Sequence, residues 1–216
     1  MALSRFLGGL LLVGLLLFAP AGTFNYWNGW LFIALLFVPM LVLGGVLLVK
    51  SPELMQKRLH MDEKERTQRL VVGVSVVMFV AGFVTAGLDF RFGWSHLPRW
   101  LVIAATVVQV LAYALYAEVM RENAYLSRTV EVQQHQKVVD TGLYGVVRHP
   151  MYLATILLCF SIPLVLGSIY AFVIFLAYPV LIVLRIRNEE AVLEKGLEGY
   201  ADYKKRVKYR LLPFVW

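Results

Sequence analysis

Cysteine is almost missing from this 216-residue chain, and the one example, Cys159, lies inside an apolar run. A disulfide framework is therefore excluded, and the thiol reads as packing rather than chemistry. Charge is scarce as well: 16% of the residues are charged and 60% are hydrophobic, against roughly 25% charged in an average soluble domain. That balance excludes an ordinary soluble protein and defines an integral membrane one. No Gly-x-Gly-x-x-Gly follows a strand pattern, which removes a Rossmann cofactor domain. Neither an internal repeat nor a low-complexity tract is present, and with several membrane crossings to accommodate, no length remains for a separate soluble domain. The formal charge of +7 suggests nucleic acid at first sight. All but Arg91 and Arg99 of the 21 Lys and Arg, however, fall at Arg5, in 50–69, in 121–148 or in 185–216, the grouping that the positive-inside rule produces. A nucleic-acid partner is set aside, and membrane lipids take its place.

The apolar runs are long. Leu7 to Ala19 predicts a first transmembrane helix, although Ala19-Pro20-Ala21 also resembles a signal-peptidase site. Trp27 to Val49 predicts a second, opened by interfacial Tyr26, Trp27 and Trp30 and interrupted by Pro39, Gly44 and Gly45. After the hydrophilic 50–69 loop come Leu70 to Leu88 and Leu101 to Ala117. The fourth helix has no stop signal before Leu126 and is expected to project beyond the bilayer. Thr129 to Gln133 alternates polar and β-branched residues, an extended segment at best. The N-terminal four helices thus occupy 1–117, and 118–216 holds the polar clusters.

Met151 to Leu184 is too long for one crossing: its 34 residues would measure roughly 51 Å as a helix, against a hydrocarbon core of about 30 Å. Pro163, Gly167 and Ser168 predict the break, giving pieces of about 12 and 16 residues. The expected fold is all-α and polytopic, with five to six transmembrane helices including a short C-terminal hairpin, and with both termini cytoplasmic in a bacterial or archaeal inner membrane. Such a hairpin brings two polar clusters to one membrane face. One is Asp140 to Tyr152, containing Tyr144, Arg148, His149, Pro150 and Tyr152. The other is Arg185, Arg187, Asn188, Glu189 and Glu190. Ionisable groups at a membrane face need partners or a ligand. From Glu189 to Tyr203 the apolar residues recur at a helical period, predicting a tail helix that lies on the membrane or folds back over the clusters.

These residues also carry a resemblance. Met120-Arg-Glu-Asn123, Val130-Glu-Val-Gln133, Val138 through Tyr152, Glu189-Glu-Ala-Val-Leu193, Tyr200, Tyr203, Val207, Arg210 and Pro213 resemble the C-terminal signature of isoprenylcysteine carboxyl methyltransferases, relatives of the phospholipid N-methyltransferases. Ser51-Pro-Glu-Leu54 with Arg58 is similar to loops of bacterial members. Two positions depart from the pattern: Ala154 stands where a Gly is frequent, and Gly196-Leu197 replaces the usual Phe-Gly. The resemblance implies methyl transfer from S-adenosylmethionine at a cytoplasmic-side pocket and no metal. It places Gln133, Val138, Val139, Tyr144, His149, Pro150, Tyr152 and Glu189 at the cofactor, and Arg185 at the acceptor.

The residue types suit that chemistry. The α-amino and α-carboxylate groups of the cofactor call for Glu189 or Glu190 and for Arg148 or His149, and Tyr144 and Tyr152 offer faces to a cation. A thiol or amine acceptor needs a base, for which His149 is the candidate; a carboxylate needs none. The expected acceptor is lipid-like or prenylated, with a phospholipid amine or a thiol as alternatives. Sterol reductases share a distantly similar C-terminal motif, so a membrane reductase is a competing reading, and a non-catalytic transporter or scaffold is another. Adjacent residues on a helix point about 100° apart. Glu189, in phase with Arg185, is therefore expected to face the pocket, and Glu190 to pair at the surface.

Overall fold

A computed structural model describes residues 2–50, 53, 55, 65–127 and 129–216, and among them there is no β-strand. Most of Ser51-Pro-Glu-Leu54, and Arg58, lie outside the described residues. Four long helices, α1 (Ala2–Ala21), α2 (Trp27–Lys50), α3 (Arg66–Phe92) and α4 (Arg99–Glu122), form the N-terminal part. A 3-10 turn follows at Gly142–Gly145, and then come α5 (Pro150–Val165), α6 (Ile169–Phe175), α7 (Tyr178–Gly196) and α8 (Tyr200–Arg206). Among the described residues five stretches are long and apolar enough to span a membrane: α1 to α4, and α6 with α7 taken together; α5 is a shorter apolar helix. The protein is thus a multi-pass membrane protein.

Each boundary has a local cause. Gly93 closes α3 in the left-handed region, at φ 65°, which glycine adopts without penalty. Pro98 precedes α4, and Pro150 opens α5 where its missing N–H costs no hydrogen bond. Three details differ from expectation. Of the residues expected to mark the break, Pro163 lies inside α5, whereas Gly167, with φ 80°, and Ser168 do stand between α5 and α6. The second half of the hairpin is not one helix either: it is interrupted at Leu176 and Ala177 before α7 carries on to Gly196. The fourth helix does run past Ala117, but it stops at Glu122 rather than Leu126. Residues 129–133 are irregular.

The hairpin turn shows how deep the hairpin reaches. Helix ends in a membrane must find partners for their free backbone groups. Asn28 Nδ2 donates to Val165 O at 2.7 Å and Tyr26 OH donates to Leu166 O at 2.6 Å, satisfying the end of α5. Ser168 caps α6 by accepting from Ala171 N at 3.0 Å, and its hydroxyl donates to Asp89. Asp89 also accepts from Ser95 N and Ser95 Oγ, each at 2.7 Å. The turn therefore sits level with the α1–α2 and α3–α4 turns, so the hairpin extends as far as its neighbours.

Packing is set by close approach. Lipid is as apolar as a leucine side chain, so van der Waals fit, not water exclusion, holds helices together. α4 packs most extensively on α5, and α3 on α1 and α6. A core of Leu17, Phe32, Phe83, Val165 and Phe175 fills the centre. At Gly82 a Cβ would lie 2.3 Å from the ring of fully buried Phe175, so only glycine lets α3 meet α6. Gly82→Ala should lower stability by about 1–3 kcal/mol, the usual range for overpacking, and Phe175→Leu should restore part of it, read as midpoints of thermal unfolding in detergent. The basic residues further predict that, in a Cys159→Ala background, T23C reacts with an impermeant maleimide on intact cells and K208C does not. Ser168 is 1% exposed and would be a poor probe.

Candidate functional site

Where α4 ends, its last turn organises the 3-10 turn at Gly142–Gly145. Glu122 Oε2 accepts from Leu143 N at 2.9 Å, and Asn123 Nδ2 donates to Tyr144 OH at 3.0 Å. Gly142 has φ 54°, and a Cβ there would lie 1.9 Å from Glu122 Oε1. Glycine is therefore required twice over, by conformation and by space. Tyr203 on α8 donates to Tyr144 O at 2.8 Å and locks the turn from the other side. The tail helix thus folds back over the clusters.

The next residues, Arg148 and His149, are held by the tail. Their backbone N–H groups donate to Tyr209 O and Arg210 O, each at 2.9 Å. Arg148 Nη1 donates to Val207 O at 2.6 Å and to Lys208 O at 2.8 Å. The centre of this arrangement is Glu190, 3% exposed. It accepts from Arg148 Nε at 2.8 Å and from Arg210 Nε at 3.0 Å, and its Oε1 lies 3.3 Å from His149 Nε2. The expected surface pairing of Glu190 is thereby overturned: the tail that returns over α7 covers the face on which Glu190 lies. A buried carboxylate between two guanidinium groups is a structural fastener.

Glu189 points elsewhere. It accepts the Tyr152 hydroxyl proton in a short hydrogen bond, and Tyr152 OH in turn accepts from Arg185 Nε at 2.9 Å. Its Oε1 lies 3.9 Å from His149 Nδ1, so the imidazole stands between the two carboxylates. The Glu189 side chain keeps 25% exposure, against 4% for Glu190.

Glu189, Tyr152 and Arg185 border a cavity of about 510 Å³, inside the roughly 300–1,000 Å³ of small-molecule sites. Its walls differ. Tyr144, Arg148, Tyr200 and Tyr203 form the polar, aromatic side, with Val138 and Val139 between them. The other side is apolar and belongs to α3: Val71, Val72, Val76 and Phe79. Burial pushes the Tyr144 and Tyr200 phenols far above the ordinary range, so both are neutral near pH 7. Among the described residues the hydroxyl of Tyr200 is buried without a hydrogen-bond partner, an orphan that a ligand oxygen or nitrogen would satisfy.

Of the residues singled out in the sequence, Val138, Val139, Tyr144, Arg148, His149, Tyr152, Arg185 and Glu189 line this cavity. Gln133, Pro150 and Glu190 do not. Gln133 donates to Tyr125 O at 2.6 Å and shapes the connector; Pro150 only starts α5. Sequence reasoning missed Glu122 and Asn123 as supports of Tyr144, and missed the α3 wall. Ser75, a hydroxyl inside an apolar run and also on that wall, was the one faint signal for the latter.

The chain is thus a multi-pass membrane protein closed at one end by a charged, aromatic-lined cavity of small-molecule size. Residues 99–198 match the phospholipid methyltransferase family model. Curated relatives include a Delta(14)-sterol reductase from Mus musculus, 32% identical over 91 residues, which are 41% of this chain and 22% of the relative. A second is a Delta(14)-sterol reductase from Methylotuvimicrobium alcaliphilum, 22% identical over 135 residues, 56% of this chain and 32% of the relative. The chain spans no more than about a third of the length of either.

The two adjacent glutamates should therefore respond differently to loss of charge. Leaving a buried ion without its partner costs about 3–5 kcal/mol. Glu190→Gln should lower the thermal midpoint strongly and expose residues 207–216 to protease. Glu189→Gln should leave both near wild type.

Proposed function

We propose that this chain is an S-adenosylmethionine-dependent methyltransferase whose acceptor is amphipathic and enters from the bilayer, most like the carboxylate of an isoprenylcysteine. The observation that carries the reading is the two-sided cavity: charged and aromatic residues on one side, and on the other a valine stripe on α3. Val72 and Val76 of that stripe are 42% and 56% exposed, on the surface that lipid covers. A soluble substrate needs no such wall.

The residues fit the cofactor. Glu189 offers an anionic partner for its ammonium or sulfonium, the rings of Tyr144 and Tyr152 offer faces to a cation, Val138 and Val139 offer a flat apolar contact, and Tyr200 OH awaits a polar atom. Bound there, S-adenosylmethionine would supply an electrophilic methyl group on sulfur. The protein's own task is alignment and water exclusion. Arg185 stands where the polar and apolar sides meet and is suited to orient an acceptor carboxylate. The Tyr152 phenol ties Arg185 to Glu189, so acceptor-side and donor-side charges are fixed relative to each other. A carboxylate needs no base. A phospholipid amine or a thiol would need one, and His149 would have to serve from between its two carboxylates.

A second reading rests on the relatives, both named as Delta(14)-sterol reductases: the same cavity would then accept a hydride donor. Equilibrium binding separates the two. Radiolabelled S-adenosylmethionine should bind the purified protein, and Glu189→Gln should weaken that binding by roughly thirtyfold or more, as expected for a lost charged contact. Binding of a reduced nicotinamide dinucleotide in its place would favour the reductase. With acceptors, a prenylated thiol acid should turn over far faster than its unlipidated core, and equal rates in one detergent would reject entry from the bilayer.

A further inference from the structure

A second cavity, of about 980 Å³, lies at the opposite end of the bundle, bordered by α2, α4 and the α3–α4 turn. Its polar lining has both signs of charge. Asp89 is 2% exposed, and among the described residues its carboxylate is met by neutral donors: Ser95 N, Ser95 Oγ and the Ser168 hydroxyl. A carboxylate has about four acceptor positions, so one remains. Arg99 and His96 also line the cavity and are exposed. Arg99 is the first residue of α4, the positive end of the helix dipole, where a cation is unfavourable. It is also one of the two basic residues, with Arg91, that stand apart from the basic segments. The fold thus gains nothing evident from a cation at this place.

The cavity continues into the bilayer along Leu31, Ile103 and Val107. Exposed Trp27, Trp94 and Trp100 mark the headgroup level beside it. A site with a buried carboxylate, two basic side chains and an apolar wall calls for a zwitterion with a hydrocarbon chain.

We propose that this cavity binds an aminophospholipid of the surrounding membrane. Its primary ammonium meets Asp89, its phosphate meets Arg99 and His96, and an acyl chain lies along Leu31, Ile103 and Val107. A choline headgroup has no N–H to give Asp89, and a glycerol headgroup has no positive charge. Leu166 and Gly167 border the same space, so the lipid holds the hairpin turn from which α5 runs to His149 and Tyr152. The site is separate from the first cavity and does not depend on the reaction assigned there.

Delipidated protein in detergent can be titrated with short-chain phosphatidylethanolamine, phosphatidylglycerol and phosphatidylcholine, with native mass spectrometry counting bound lipids and thermal unfolding read in parallel. Phosphatidylethanolamine should bind at least about tenfold more tightly than the other two, the scale of one hydrogen bond to a charged group, and should raise the unfolding midpoint most. Asp89→Asn would disturb the turn itself, so R99Q at an exposed position and T106F, which fills the cavity, carry the test. R99Q should weaken binding of all three lipids at least about tenfold, through the phosphate they share, and T106F should abolish it, both while remaining folded. Equal retention of the three lipids, a preference for phosphatidylglycerol, or unchanged phosphatidylethanolamine binding by R99Q would each overturn the proposal.

Discussion

The Glu190 carboxylate, enclosed by Arg148, Arg210 and His149, is the interaction on which the site end of this protein depends. Charge is removed from water only where it is paired and hydrogen-bonded on nearly every lone pair. Here three chain segments far apart in sequence supply those partners: the loop before α5, helix α7 and the tail. Arg148 in turn is committed to Val207 O and Lys208 O. The tail is thereby fastened across the cavity, and His149 is held between Glu190 and Glu189. Arg148 and His149, which border the cavity, thus take their positions from Glu190, which does not.

The opposite end of the bundle solves a different problem with similar means. A helical hairpin inside a bilayer leaves carbonyls and amides at its turn that lipid cannot satisfy. Tyr26 and Asn28 donate to the carbonyls of Leu166 and Val165, Ser95 Oγ accepts from the Ile169 amide, and Asp89 holds the Ser168 hydroxyl. Between the two polar ends, α3 comes close to α1 and α6 through glycine, and one of its faces remains as the apolar wall of the cavity. The result is a rigid frame, polar at both ends, with a compartment at one end that is half aqueous and half lipid in character. Chemistry on a lipophilic molecule with a water-soluble donor needs a compartment of that kind.

Much of the frame was legible in the sequence. Composition alone defined a membrane protein, and run length placed α1 to α4 to within a few residues, because a helix in lipid must satisfy its own backbone and match a fixed thickness. The impossible length of 151–184 required a hairpin, and the i, i+4 spacing of Arg185 and Glu189 put both on one face of α7. The grouping of basic residues and the Arg-His-Pro motif marked the site end.

What the sequence left undecided were the contacts between segments. Pro163, Gly167 and Ser168 together looked like the break, yet Pro163 is accommodated within α5 and only Gly167 among them leaves the right-handed region for positive φ. Glu190 looked like a surface carboxylate, because nothing local indicates that residues 207–216 return to bury it. Glu122 and Asn123 read as part of a projecting helix and of the matched signature, with nothing local to show that they hold the Tyr144 turn. The α3 wall looked like any apolar span. Local pattern and the physics of lipid determined that the chain crosses the membrane and where. Only the tertiary structure decided which charges are buried, which face the cavity and which apolar face borders it, because burial depends on segments far apart in the sequence.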